Sequence, residues 1–169
     1  MIKALFLDRD GVINEDFGYV FKIENFSFKP RVFETLIAYQ NLGYIIFIVT
    51  NQSGIGRGYY TVKDFKIVTN FMLNEFKKAG INIQKVYFCP HSPEANCQCR
   101  KPRPGMILKA CKEYDIDLKK SILIGDKLSD IKAGESAGVG KLYLIGSKKG
   151  ENFITVNGIY DTLNPKEQK

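Results

Sequence analysis

Asp8 and Asp10 stand two residues apart in Asp8-Arg9-Asp10-Gly11, directly after the apolar run Ile2 to Leu7. Alternate residues of an extended chain point to the same side, so these two carboxylates crowd one small space. Like charges that close resist double ionisation unless a cation lies between them. A third carboxylate, Asp126 in Gly125-Asp126-Lys127, follows another apolar run, Ser121 to Ile124. An oxygen-rich, carboxylate-lined site suits Mg²⁺, which keeps several waters and shares substrate phosphate oxygens. One such aspartate could merely cap a loop or helix; three at converging strand ends point to a site. Thr50-Asn51-Gln52-Ser53-Gly54 follows a third run, Tyr44 to Val49, and offers a hydroxyl and an amide at its tip. Gly54, Gly56 and Gly58 permit either an ordinary turn or a tight loop whose backbone amides cradle an anion.

A second kind of chemistry lies in Cys89-x-His91-x5-Cys97-x-Cys99. The chain has four cysteines and one histidine, and four of these five residues share this window. Three thiolates and one imidazole complete a tetrahedral zinc shell with no open position, which makes the expected metal structural. Pro90 and Pro93 stiffen the loop, and it has little apolar content beyond Ala95, so metal rather than packing must fold it. Arg100 and Lys101 follow Cys99 directly, so the zinc loop would hold these cations over the site. Cys111 lies apart and reads as a small buried hydrophobe.

These residues need elements to bring them together. Ile2 to Leu7, Tyr44 to Val49, Lys85 to Phe88, Ser121 to Ile124 and Lys141 to Ile145 read as strands. Helices are predicted from about Pro30 to Leu42, from a Thr61 cap to Ala79 with Asp64 completing a capping box, from Pro104 to about Tyr114, and over a short stretch ending at Ala137. Strand and helix alternate, which predicts an α/β, Rossmann-like, doubly wound and mainly parallel sheet. In such sheets the ligand lies beyond the carboxyl ends of the strands, where Asp8, Thr50 and Asp126 fall. Residues 11 to 29 are long for a strand-to-helix loop, and residues 89 to 103 form the small zinc-binding insert. Residues 1–169 read as a single domain with no room for a large cap.

The chain has 169 residues, is 44% apolar and 25% charged, and so is neither disordered nor collagen-like. No apolar run is long enough to span a bilayer, and no export signal is read at the N-terminus, so a cytoplasmic location is expected. The net charge of +7 is compatible with nucleic acid, a membrane surface or small anions. Arg100, Lys101 and Arg103 form one basic cluster; Lys148, Lys149, Lys166 and Lys169 read as a solvated tail. A zinc-containing nucleic-acid-binding module is the rival from another class, but there is no long basic stripe, and a carboxylate trio would repel a phosphodiester backbone.

In this order the motifs resemble the haloacid dehalogenase superfamily of phosphohydrolases: Asp8-Arg9-Asp10-Gly11 its first motif, Thr50 its second, Lys101 its third, Asp126 with Asp130 its fourth. The resemblance implies that Asp8 attacks phosphorus to form an aspartyl-phosphate, while Asp10 protonates the leaving alkoxide and then activates water. It implies Mg²⁺ on Asp8, the backbone carbonyl of Asp10 and Asp126, with Thr50 and Asn51 bonding the phosphoryl oxygens. Lys101 would offset charge beside Asp8. Asp130 is left between a surface charge and a residue orienting Lys127 or a metal-bound water. The stretches Asp16-Phe17-Gly18-Tyr19-Val20, Thr50 to Ile55, the zinc loop and Cys99-Arg100-Lys101-Pro102 resemble the D-glycero-D-manno-heptose 1,7-bisphosphate 7-phosphatase family. Histidinol-phosphate phosphatases share the catalytic motifs and a similar loop, but Gly18-Tyr19-Val20 and Asn51 to Gly58 look like the heptose enzymes. Val12, where that family often has Thr, is a departure that touches no implied ligand. The resemblance implies a small phosphosugar substrate on the way to nucleotide-activated heptoses. It assigns substrate contacts to Asp16, Phe17, Gly18, Tyr19, Asn51, Gln52, Ser53, Arg100 and Lys127. No nucleic-acid or membrane partner is expected, and the chain should be a monomer.

Overall fold

The computed structural model describes residues 1–163; Lys166 and Lys169, read above as part of a solvated tail, lie outside them. Six strands form one sheet: β1 (Lys3–Leu7), β2 (Tyr44–Asn51), β3 (Ile83–Cys89), β4 (Ile122–Gly125), β5 (Lys141–Ile145) and β6 (Ile154–Val156). Their order is β3-β2-β1-β4-β5-β6 and every pairing is parallel. The helices are α1 (Val32–Asn41), α2 (Ser53–Gly56), α3 (Val62–Lys78), α4 (Gly105–Glu113) and α5 (Leu128–Ala137).

The apolar runs explain the layering. In β1, Leu5 and Leu7 face one side while Ala4 and Phe6 face the other, and all four are fully buried. A strand buried on both faces belongs in the middle of a helix-covered parallel sheet. Leu5, Leu7, Ile46 and Ile48 pack with Leu36 of α1 and Met72 of α3. Phe6, Phe47 and Leu123 pack on the opposite side with Ile107 of α4 and Ile131 of α5. Thr61 caps α3 as expected: its Oγ1 accepts from the Asp64 N–H at 3.1 Å, and Asp64 Oδ2 accepts from the Thr61 N–H at 2.9 Å. Such a cap contributes about 1 kcal/mol.

The strand order reverses direction at β1 and β4, whose neighbouring carboxyl ends therefore open a crevice. The long loop after β1 is no loose excursion. Ile13, Val20 and Phe26 are buried in the core, and Phe28 packs edge-on to Phe76 of α3 at 5.3 Å. The structure also extends the predicted elements. β3 begins at Ile83 and runs to Cys89, so the sheet itself holds the first thiol. β6 was not foreseen, and exposed Lys148 and Lys149 sit in the loop before it rather than in a tail. Three residues are too few for a period-two signal to appear. No cap domain occurs among the described residues.

Candidate active site

Asp8 follows the last residue of β1, and its N–H donates to the Ile124 carbonyl of β4 at 3.1 Å. That bond sets the nucleophile candidate at the switch point. Gly11, with φ at +89°, turns the chain back; a side chain there would overlap the Asp126 carboxylate. The carboxylates of Asp8, Asp126 and Asp130 offer ligand oxygens within 4.8 Å of one another.

Lys101 reaches into this group from the Cys/His loop. It is 3% exposed, and its Nζ donates to Asp8 Oδ1 at 2.9 Å and to the Val49 carbonyl at 2.7 Å, and pairs with Asp130 Oδ1 at 2.6 Å. Its backbone is held from both sides by the Asn51 amide: Asn51 Nδ2 donates to the Lys101 carbonyl at 3.1 Å, and the Lys101 N–H donates to Asn51 Oδ1 at 3.0 Å. Asn51, expected to bond phosphoryl oxygens, thus also fixes the lysine while lining the cavity described below.

Asp130 is no surface charge. It is 2% exposed, gives one oxygen to Lys101, and with the other accepts the Asp126 and Lys127 backbone N–H groups at 3.1 Å each. A carboxylate at the third position of α5 caps that helix, sits well with its dipole, and aims both Asp126 and Lys101.

The electrostatics are unbalanced toward negative charge. Burial, and then Asp130, push the Asp8 carboxyl well above the usual carboxylate range against the pull of Lys101. Burial and Asp130 also raise Asp126. Burial works against the charge of Lys101, but Asp130 and Asp8 outweigh it and raise its pKa. The buried Lys101 ammonium therefore stands among three carboxylates, with the more exposed Lys127 acting on them from the mouth. Asp126 Oδ1 is buried with no hydrogen-bond partner among the described residues. A hard divalent cation fits that donor set and that orphaned oxygen.

Asp10 lies on the cavity side. Its Oδ1 accepts from Arg9 Nη2 and Asn14 Nδ2, both at 2.9 Å, and its Oδ2 from Gln52 Nε2 at 3.2 Å. Gln52 also donates to the buried Thr50 hydroxyl at 2.9 Å and accepts from the Tyr60 hydroxyl at 2.5 Å. A cavity of about 270 Å³ is lined by Asp10, Asp16, Gly18, Tyr19, Asn51, Gln52, Ser53, Tyr60, Arg100, Lys127 and Ser129. Eight of the nine residues assigned to substrate contact are in that lining. The ninth, Phe17, is 68% exposed and outside it. Asp16 and Lys127 face each other across the mouth at 3.8 Å. Asp16 Oδ1 also accepts the Gly18 N–H, which shapes the rim.

Arg9, Tyr60 and Ser129 had no assigned role in the sequence. For Arg9 a signal exists. If Asp8 and Asp10 face one side, the residue between them faces the other, under the site, where a charge must find partners.

The glycines after β2 serve close packing and a turn. Gly54 leaves room for Tyr60 and Tyr19, and Gly56 lies against the backbone of Pro90, His91 and Ser92. Gly58, with φ at +76°, is a turn glycine. Their smallness docks α2 on the Cys/His loop.

That loop gathers the four expected ligands within 4.8 Å. Cys89 Sγ lies 3.0 Å from Cys99 Sγ, 3.5 Å from Cys97 Sγ and 3.4 Å from His91 Nδ1. Tetrahedral zinc with Zn–S bonds of about 2.3 Å holds its sulfurs about 3.8 Å apart, so the array is close to a zinc shell. Burial pushes the Cys89 thiol up. At Cys97 burial opposes ionisation, but the Arg100 N–H and the other thiols prevail and lower it to about 6. Arg103 braces the loop through the Cys97 carbonyl and Asn96 Oδ1. Cys111 is half-buried and free of this cluster.

Comparison with known proteins agrees with this geometry. A family model described as "HAD-hyrolase-like" matches residues 98–151. D-glycero-alpha-D-manno-heptose-1,7-bisphosphate 7-phosphatase of Campylobacter jejuni is 49% identical over 99% of this chain and 97% of its own. The D-glycero-beta-D-manno-heptose-1,7-bisphosphate 7-phosphatase of Helicobacter pylori is 54% identical over 81% of this chain and 80% of its own. The crystal structure of D,D-heptose 1,7-bisphosphate phosphatase from B. bronchiseptica, complexed with magnesium and phosphate, superposes with a TM-score of 0.90 at 26% identity, covering 99% of both chains. With this identity over most of its length, the chain belongs to the heptose-1,7-bisphosphate 7-phosphatase family of the haloacid dehalogenase superfamily.

Proposed function

We propose that this protein removes the 7-phosphate of D-glycero-D-manno-heptose 1,7-bisphosphate through an aspartyl-phosphate on Asp8. The observation that carries the mechanism is Lys101 Nζ held 2.9 Å from Asp8 Oδ1 beside two further carboxylates. Asp8 attacks phosphorus, the bond from phosphorus to the sugar oxygen breaks, and Asp10 gives its proton to the departing alkoxide. Asp10 then takes a proton from water as that water attacks the phospho-aspartate, which releases phosphate and restores Asp8. Thr50 donates to the phosphoryl oxygens, and Lys101 offsets their charge. Asp8, Asp126 and the Asp10 carbonyl would hold Mg²⁺, which supplies charge neutralisation between carboxylate and phosphate. Cys89, His91, Cys97 and Cys99 would hold a structural zinc that fixes the segment bearing Arg100 and Lys101.

The lining supports a small, anionic, hydroxyl-rich substrate. Asp16, Gln52, Ser53 and Ser129 offer hydrogen bonds, and Lys127 and Arg100 offer positive charge. Arg100 has a buried Nη1 with no hydrogen-bond partner among the described residues, which suits a group waiting for the phosphate that is not hydrolysed. Residues 1–169 work as one phosphatase domain, monomeric and cytoplasmic. No described helix is long and apolar enough to cross a membrane, and the described cysteines are free thiols. The named relatives favour heptose bisphosphate over histidinol phosphate or nucleic acid.

The test is a phosphate-release panel with Mg²⁺ over both heptose bisphosphate anomers, histidinol phosphate and fructose bisphosphate. A heptose bisphosphate should give the highest kcat/KM. A preference for histidinol phosphate would overturn the substrate and leave the phosphatase chemistry standing.

A further inference from the structure

Arg9 is among the largest fully buried side chains of the molecule, at 1% exposure. It lies under the site rather than in the cavity lining. Its Nη2 donates to Asp10 Oδ1 at 2.9 Å and to the Val20 carbonyl at 2.7 Å, and its Nε approaches the same Asp10 oxygen at 3.3 Å. The rings of Phe26 and Phe65 stand 5.8 and 5.9 Å from the guanidinium carbon. An arginine is expensive to bury, so its bonds must be specific.

The consequence falls on Asp10. Arg9 and Asn14 together occupy Oδ1 as an acceptor. A carboxylic acid whose one oxygen is filled by donors must carry its proton on the other. Oδ2, which among the described residues meets only Gln52 Nε2, is then the oxygen that gives and takes the proton. Val20 closes the segment that contributes Asp16, Gly18 and Tyr19 to the cavity. One guanidinium therefore ties the proton donor to the loop that seats the sugar.

We infer that Arg9, which touches no substrate, is a positioning residue for proton transfer, directing Asp10 Oδ2 at the leaving oxygen and locking it to the substrate loop. The inference rests on Asp10 being the general acid. In the step concerned, the phosphorus–oxygen bond breaks as Asp8 attacks, and the proton on Asp10 Oδ2 goes to the sugar oxygen. A sugar alkoxide needs that proton. A 4-nitrophenolate leaves without it.

The experiment compares single-turnover rates of Mg²⁺-loaded enzyme, zinc retained, on a heptose bisphosphate and on 4-nitrophenyl phosphate. The variants are Arg9→Met, Arg9→Lys, Asp10→Asn and the Arg9→Met/Asp10→Asn pair. Release of nitrophenolate counts competent sites, so a partly folded preparation is corrected for. Arg9→Met should lose about 10²-fold on the sugar and less than about threefold on the aryl ester. Arg9→Lys should recover part of the sugar rate, and Arg9→Met should add nothing in the Asp10→Asn background. Should Arg9→Met refuse to fold, Arg9→Lys, which keeps the charge but not the fork, must show the same selectivity for the sugar. Equal losses on both substrates, or full additivity with Asp10→Asn, would overturn the inference. An Asp10→Asn variant with no preference for the good leaving group would overturn the general-acid reading beneath it, a distinguishable result.

Discussion

The carboxylate cluster after β1 and β4 and the Cys/His cluster after β3 both gather ligand atoms within 4.8 Å, yet among the described residues only the first has a buried ammonium paired with its ligand atoms. Asp8, Asp130 and Lys101 are nearly sealed, and sheet, helix cap and ammonium fix them together. His91 is exposed, and Cys97 and Cys99 are half-buried in a loop with few apolar anchors. The difference separates two uses of a metal. Where the protein supplies structure and part of the charge, the metal can come and go with the reaction. Where it supplies only ligands, the metal is the structure. The two are joined by two residues of chain, since Lys101 follows Cys99 so closely that the order of one loop aims the cation of the other.

The comparison breaks most sharply at Asp8. Asp8→Asn keeps the size of the side chain and removes the proposed nucleophile. Turnover should fall about 10⁴-fold or more while the circular dichroism spectrum and zinc content stay as in the parent. Substantial activity in metal-loaded Asp8→Asn would refute the phospho-aspartate.

Next in size is the metal contrast. EDTA should stop turnover, and added Mg²⁺ alone should restore it with zinc still bound. Cys89→Ser, at the end of β3, should lose the zinc and with it most of the activity, because binding a structural zinc is worth on the order of 10 kcal/mol to a small module. Elemental analysis decides it: reduced parent protein purified without tightly held zinc would leave the closed site without support.

Arg100 probes the rim between the clusters. Arg100→Ala should lower kcat/KM on a heptose bisphosphate by about 10- to 200-fold, the worth of one charge-assisted contact, and hardly change a simple aryl phosphate. Equal losses on both substrates would assign Arg100 to bracing the zinc loop.

The buried part of this site was more legible in the sequence than its rim. Alternating apolar runs placed Asp8, Thr50 and Asp126 at strand ends, since a parallel core strand can hardly read otherwise. The gathering of Cys89, His91, Cys97 and Cys99 was legible because cysteine and histidine are rare in this chain. Asp130 was not, because spacing alone cannot tell a helix cap turned inward from a charge turned outward; only the 2.6 Å approach of Lys101 does. Tyr60 escaped notice because nothing in its neighbours marks a hydroxyl aimed at Gln52. Gly54 and Gly56 left a turn and an anion loop both open, and what they adjoin, aromatic rings and backbone of the Cys/His loop, is a contact across the chain that local pattern does not carry. β6 is held by its register beside β5, Tyr143 opposite Ile154 to Ile145 opposite Val156, and not by a pattern of its own.

The smallest effect tests whether the carboxylate cluster is short of positive charge. Asp8 and Asp126 are both raised, by burial first and then by Asp130. A carboxyl raised in the folded chain binds more protons there than in the unfolded chain, so ν_U − ν_N is negative and stability falls as pH rises. In the Mg²⁺-free, zinc-retaining protein, stability should therefore decline as pH climbs from about 4, the ordinary carboxylate value, through the raised ones. If Mg²⁺ binds the ionised pair as proposed, it should restore stability mainly where those groups have lost their protons. At about ten times its Kd the gain is about 1.4 kcal/mol, and the shift in Tm should be larger at pH 7.5 than at pH 5. Asp126→Asn removes one of the competing charges. Without Mg²⁺ it should melt no lower than the parent at pH 7.5, and it should respond weakly to the ion. Equal Mg²⁺ shifts at both pH values, or a Mg²⁺-free Asp126→Asn that melts well below the parent, would mean that Lys101 already balances the cluster.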